Sequence, residues 1–346
     1  MPAGVALIAA VVATGMFSAG ASDPTLPRTS PAALLAAVKQ TSVTSFSGTL
    51  VSHVDLGLPD LPSFGGGPGD EDASLSTLVA GSHTIQVWYG GADKQRIAVL
   101  GATEETDVFR NGHDLWQWTS SDHAATHINV SSGTDEVPAP EATATTLTPD
   151  ALARKAIAAL NPTTRVTVDK QHSVAERSAY VLVLSPRSTA TKVGSVRIEV
   201  DGKTKVPLGV QVYPRNSAQP AIDVAFTSIH FGAQADRNFE FTPPPGAKVT
   251  NPRPSGDVRR SSSSGLRPAP KRIGSGWTSV IALRPGKAAA ARFGKGVLQH
   301  ATTAVSGAWG KGRLLDTALF AVLFTDDGRI YAGPVDPATL YAAAAK

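Results

Sequence analysis

No cysteine occurs among the 346 residues of this chain. Disulfides, thiolate metal sites, a cysteine nucleophile and lipid attachment to cysteine are therefore excluded, and stability has to come from packing. The absence leaves the compartment open, because exported proteins also fold without disulfides. Missing too are the strings G-x-S-x-G, H-E-x-x-H and G-x-G-x-x-G, the spacings that serve serine hydrolases, zinc proteases and dinucleotide sites. Gly202-Lys203-Thr204 ends like a phosphate-binding loop, but Arg197 stands where that loop needs its first glycine. His123 and His127 would share one face of a helix as metal ligands. Between Ser121-Asp122 and Ala124-Ala125-Thr126 they read instead as hairpin residues that do not converge. Asp326-Asp327-Gly328 reads as a turn between strands rather than a cation loop. No catalytic residue, metal ligand or cofactor is assigned, and the chain reads as a non-enzyme.

Charge is absent from Pro2 to Ser22, where Ala19-Gly20-Ala21 supplies the small residues that signal peptidase accepts. Residues 1–22 are expected to form a signal peptide or, since ~20 apolar residues span a bilayer, an uncleaved transmembrane anchor. A buried Ala/Val helix of a soluble domain is the plain alternative. Basic residues ahead of the apolar run are missing, so the natural start is expected upstream. Acids are scarce in a second stretch. From Thr250 to Arg313, twelve Lys and Arg meet the single acid Asp257, a window of +11 that leaves −7 for the rest of a chain of net +4. Residues 253–313 could lie against an anionic membrane surface or a wall polymer, or simply keep a linker solvated. Aromatics do not interleave with these cations, and nucleic acid is not expected as a partner.

Alternation is what the chain has in quantity. Ser195 to Tyr213 carries two strands of period two around Asp201-Gly202, the pattern of an antiparallel hairpin. Similar runs occur at Phe46–Val54, Thr84–Tyr89, Gln95–Leu100, Thr106–Phe109, Asp114–Trp118, Arg165–Val168, Ala179–Leu184 and Ile222–Ile229. One helix is predicted from Ser30-Pro31 to Gln40 and another from Thr148-Pro149 to Leu160, each with a hydroxyl N-cap and proline in the first turn. Leu56 to Ala80, broken by glycine and acids, reads as a loop on the sheet rim, and Pro243-Pro244-Pro245 ends the sheet. Residues 251–273 read as a basic flexible linker. Residues 274–346 read as a small α+β domain: a strand at Trp277–Leu283, a helix about Ala290–Val305, strands around Asp326-Asp327-Gly328 and a last helix from Asp336-Pro337. Few contacts are expected to cross the linker.

Trp88, Trp116 and Trp118 fall on neighbouring predicted strands, the last two on one face. Such a face can line an apolar ligand cavity, or it can be core beneath packed helices. Together with the alternating Val181, Val183, Ile198, Val200, Val210 and Val212, these tryptophans are the candidate ligand-binding residues.

The order of elements resembles the lipoprotein-carrier superfamily that includes LolA, LolB and the N-terminal domain of RseB/MucB. The residues that carry the resemblance are Phe46-Ser-Gly-Thr-Leu50, Asn111-Gly-His-Asp-Leu-Trp-Gln-Trp118, Tyr180-Val-Leu-Val-Leu-Ser-Pro186, Ile198-Glu-Val-Asp201 with Val206-Pro-Leu208, and Phe239-Glu-Phe-Thr-Pro-Pro-Pro-Gly-Ala247. They cover about residues 30–250. The resemblance implies an α+β fold, a curved antiparallel sheet forming an incomplete barrel with helices on its concave side, and a cavity for a lipid or lipoprotein acyl chain. It also implies that Arg96 locks the cavity shut through hydrogen bonds to a covering helix, although the proline that precedes this arginine in the family is absent here. Residues 273–346 resemble a tail of such proteins in high-GC Gram-positive bacteria, marked by Ala308-Trp-Gly-Lys-Gly-Arg313 and Phe324-Thr-Asp-Asp-Gly-Arg-Ile-Tyr-Ala-Gly333. An exported lipid-binding protein of the cell envelope is the expectation, with an RseB-like module that binds a membrane protein partner as the alternative.

Overall fold

The structure, a computed structural model, describes residues 26–41, 43–58, 81–101, 103–129, 148–251, 270–284 and 301–345. The apolar segment 1–22 lies outside the described residues, as do most of the 56–80 loop and of the basic linker. Among the described residues, no helix is long and apolar enough to cross a membrane.

The ten alternating runs, joined by Ala124–Asn129, become strands of one sheet: β1 (Phe46–Val54), β2 (Gly81–Tyr89), β3 (Lys94–Leu100), β4 (Glu105–Asn111), β5 (Asp114–Thr119), β6 (Ala124–Asn129), β7 (Thr164–Val174), β8 (Arg177–Pro186), β9 (Val193–Asp201), β10 (Pro207–Pro214) and β11 (Ile222–Phe231). With the short β12 (Lys248–Thr250) they stand in the order β12-β6-β5-β4-β3-β2-β1-β11-β10-β9-β8-β7. The sheet is curved and not closed into a barrel. Its pairs are antiparallel except β12 on β6, which is parallel because the chain crosses over from β11 at residues 232–247 before pairing at the far edge.

Two short helices lie on the concave face. α1 (Pro31–Gln40) starts where Ser30 Oγ accepts from the Ala33 N–H at 3.1 Å, and α2 (Pro149–Ala158) where Thr148 Oγ1 accepts from Ala151 at 3.3 Å. Both N-caps are the hydroxyl residues the sequence singles out. Leu34 and Val38 of α1, with Ala153 and Ile157 of α2, close over Tyr180, Leu182, Leu184, Val196, Ile198 and Val200. A second cluster runs along the same face through Leu50, Ile85, Val87, Ile97, Val224, Phe226 and Ile229. Leu152 and Ile222 pack against both clusters.

Several expectations are corrected. The β9–β10 connection is not a two-residue Asp-Gly turn but spans residues 202–206, because Asp201 Oδ2 gathers the Lys203 and Thr204 N–H groups and the Thr204 hydroxyl at 3.2, 2.6 and 2.7 Å. Strand β6 was not foreseen, since Ala124-Ala125-Thr126-His127-Ile128-Asn129 has few of the large β-forming side chains. Trp277 lies in a single 3₁₀ turn, Gly276–Thr278, and β14 (Val280–Leu283) begins after it. Thr303–Gly307, expected as the end of a helix, is strand β15. Lys271–Ile273, expected in the linker, is strand β13, paired with β14.

These strands, with β16 (Gly310–Asp316), β17 (Ala321–Thr325) and β18 (Ile330–Gly333), form a second sheet ordered β13-β14-β18-β17-β16-β15. α3 (Pro337–Ala344) packs Leu340 and Ala343 onto Val280, Leu323 and Tyr331. The expectation of few contacts between the two parts does not hold. Leu319, from the β16–β17 turn, is 6% exposed and belongs to the core under α1 and α2. The Ala318 N–H donates to Leu56 O at 2.8 Å, the Lys192 N–H to Pro334 O at 2.9 Å, and Trp277 Nε1 to Thr164 Oγ1 at 2.8 Å. The linker's composition described the linker alone; the contacts come from Trp277 just beyond it and from the 318–319 and 334 segments far from it in sequence.

Candidate functional site: the helix-covered face

Cross-strand partners project to the same side of a sheet, so the register assigns each candidate residue to a face. Ile198 pairs with Val210, and Val196 with Val212. These side chains and Val200 lie under the helices: Ile198, Val200 and Val210 are buried in the core, and Val212 packs against it. Val181 and Val183 pair with Glu199 and Arg197 and so occupy the opposite, outer face. The Ala179–Leu184 run is apolar on both faces, and its periodicity could not choose between them.

Trp88, Arg96, Trp116 and Trp118 are also on the outer face. The register runs Trp88–Arg96–Phe109–Trp116–His127 across five adjacent strands. The Arg96 guanidinium lies between two rings, 4.6 Å from the Trp88 centroid and 4.7 Å from that of Phe109. Its Nε donates to Asp107 Oδ1 at 2.9 Å, and Glu105 lies 3.6 Å away. Phe241, carried by the 232–247 crossover, covers Phe109, Trp116 and Trp118 at centroid distances of 4.9, 5.4 and 6.0 Å. Trp116 and Trp118, each half-buried, therefore lie beneath a crossing segment, while Trp88 is half-buried against Arg96. The lock implied for Arg96 is corrected by the same geometry: its bonds go to β4 carboxylates, on the side of the sheet away from α1 and α2.

The outer face holds buried acids. Asp107 is 3% exposed, and its pKa is pushed up to about 6 by burial and by the hydrogen bond with Glu105, against the pull of Arg96. Glu199 is raised by burial, partly offset by His172, whose Nε2 lies 2.8 Å from its Oε1. At Asp201 burial alone would raise the pKa, but hydrogen bonds from Arg177 and Thr204 together hold it below the ordinary carboxylate value. His123 and His127 attend to different tryptophans, His127 stacking on Trp116 at 4.2 Å and His123 meeting Trp118 edge-on at 5.4 Å. Among the described residues no three His, Asp or Glu side chains gather as metal ligands.

The concave face is different in kind. Its floor from β2 and β3 across to β8 is built mainly from aliphatic and aromatic side chains, and its cover consists of two ten-residue helices. Polar links between cover and sheet are sparse. Thr41 Oγ1 donates to Lys205 O at 3.2 Å, and Arg154 Nη2 donates to Thr41 O at 3.3 Å, joining α2 to the end of α1. Between the two sheets lies a cleft of about 400 Å³ lined by polar groups that include Asp55, Lys192, Arg215 and Asp336. Arg215 spends its donors there on the carbonyls of Thr191, Ser188 and Val193. That cleft suits polar contacts between domains, whereas the concave face suits an apolar occupant.

No family model matches the chain, and no curated protein does. Among solved structures it is similar to Pseudomonas aeruginosa MucB in complex with MucA, at 17% identity over 90% of this chain and 94% of that one, with a TM-score of 0.42. It is also similar to a LolA superfamily protein of Nitrosomonas europaea, at 12% identity over 62% and 99%, TM-score 0.25. A third is a putative outer membrane lipoprotein-sorting protein domain of Vibrio parahaemolyticus, at 10% identity over 60% and 93%, TM-score 0.22.

Proposed function

We propose that this protein is a non-enzymatic binding protein of the extracytoplasmic cell envelope that takes up an acyl chain, from a lipid or a lipoprotein, between the concave face and its two helices. The observation that carries the reading is the make-up of that face: a largely apolar floor under short helices held mainly by Leu34, Val38, Ala153 and Ile157. Apolar contacts of this kind are exchangeable. An acyl chain that displaces them replaces buried area with buried area, at roughly 0.8 kcal/mol per methylene. Export is supported by the uncharged Pro2–Ser22 segment, whether cleaved or kept as an anchor. The basic window 253–313, which includes Lys271 and Arg272 on the exposed edge strand β13, is suited to an anionic membrane surface.

A second reading, an RseB-like regulatory module that binds a membrane protein partner through the second sheet, is favoured by one contact. Gly276 and Trp277 of that sheet sit against Asn161 and Thr164, just beyond the end of α2. Movement of α2 on ligand entry would then be felt at the second sheet. Saturable binding of a fluorescent fatty-acid analogue to the purified chain, with copurified lipid seen by mass spectrometry, is the expected result. Absence of both would overturn the first reading. Capture of a membrane protein that depends on residues 274–346 supports the second.

A further inference from the structure

We propose that Ser52 is the hydrogen-bond anchor for the ligand, its hydroxyl donating to the carbonyl or carboxyl oxygen of a bound acyl compound; the inference rests on the lipid-binding reading above. Strand β1 alternates cleanly, with Leu50, Ser52 and Val54 buried and Val51 and His53 exposed. Ser52 thus occupies a floor position of the concave face, 0% exposed. Its cross-strand partners are Val224 and His83, which share its face. Val54 belongs to the cluster under the helices, while Leu50 and Val224 belong to the neighbouring one. The hydroxyl therefore lies at the seam of the two clusters, the seam that Leu152 of α2 and Ile222 bridge.

The Ser52 Oγ is buried with no hydrogen-bond partner among the described residues. A buried hydroxyl without a partner disfavours the folded state, and alanine or valine would pack the floor without that penalty. A polar atom kept unpaired among Leu50, Val54 and Val224 suits a ligand that is apolar along most of its length and carries one oxygen acceptor. Acyl compounds have that chemistry. Free fatty acids and acyl esters share the acceptor, and the experiment separates them.

The full chain and Ser52→Ala are titrated with lauric acid, methyl laurate and dodecane, each displacing a fluorescent fatty-acid analogue, and unliganded melting temperatures are measured. The expected result is a loss of about three- to tenfold in affinity for the oxygen-bearing ligands, the size of one neutral hydrogen bond. Dodecane affinity is unchanged, and the unliganded variant melts at least as high as the parent. Weakening of the acid alone assigns the anchor to free fatty acids, and weakening of both assigns it to the shared carbonyl. Equal loss for dodecane, no loss for either oxygen ligand, or a lower unliganded melting temperature would overturn the anchor; the last would show that water or protein satisfies the hydroxyl. Failure of all three compounds to displace the probe from the parent chain overturns the lipid reading itself. Should Ser52→Ala not fold, the hydroxyl has a structural partner and the anchor falls.

Discussion

Arg96 and Asp107 stand side by side on the outer face, and their chemistry sets a pH dependence that can be worked out in sign. The Asp107 pKa rises from 3.8 to about 6 on folding, so the folded chain holds this proton more tightly than the unfolded one. Its contribution to stability is then fully present below pH ~4 and is lost as pH rises through 6. Asp201, with a lowered pKa, pulls the other way at acid pH, so the effect is read against Asp107→Asn. The variant is expected to gain stability relative to the parent by ~2 kcal/mol between pH 4 and pH 7, an order-of-magnitude conversion of the shift; urea midpoints that move in parallel would count against the burial of Asp107. Arg96→Leu leaves the acid without its cation and is expected to cost about 3 kcal/mol at pH 7, with a smaller loss at pH 5, where Asp107 is largely protonated. Little of this was legible in the sequence. Arg96 stood out, but its partners Asp107 and Phe109 come from the next strand, and the Phe241 that covers Phe109 comes from a crossing segment, pairings that depend on register and topology.

The elements were far more legible than the faces they present. Strand β1 matches its predicted range, Phe46–Val54, to the residue, and both concave helices begin at their predicted hydroxyl caps. Strand β8 shows the limit, since Tyr180-Val-Leu-Val-Leu184 is apolar at every position and buries both faces. Candidate ligand residues were accordingly split: Ile198, Val200, Val210 and Val212 fall on the concave floor, while Val181, Val183 and the three tryptophans fall outside it. Ser52 was missed, although a serine at an inward position of β1 was visible as a break in the apolar pattern. At this scale the cover helices should depend on packing more than on caps. Ile157→Ala is expected to destabilise the chain by about 2–4 kcal/mol and Thr148→Ala by about 1 kcal/mol, both followed by urea denaturation. A larger effect from the cap than from the core residue would mean that α2 is held by its end rather than by its face.

For the whole molecule the open matter is whether two sheets make one cooperative unit. A basic, proline-containing linker suggests independence, yet Leu319 lies in the core beneath α1 and α2, and Trp277 reaches Thr164. Polar links reinforce the junction, with Thr191 Oγ1 donating to Pro334 O at 2.6 Å and Lys192 paired with Asp316. The junction therefore combines the desolvated apolar contact that resists separation with hydrogen bonds that fix its register. Removal of residues 274–346 would open the Leu319 slot to water directly beside the proposed acyl site, so the truncated chain is expected to melt earlier and to bind hydrophobic dye. The cleaner test is Leu319→Ala in the full chain. If the sheets fold together, it lowers the stability of the whole by about 2–4 kcal/mol, and calorimetry shows a single transition shifted down. Two transitions, with only the second sheet's shifted, would show that the domains are coupled by contact but not in folding, and would leave α2 without the mechanical link to the second sheet that the regulatory reading requires.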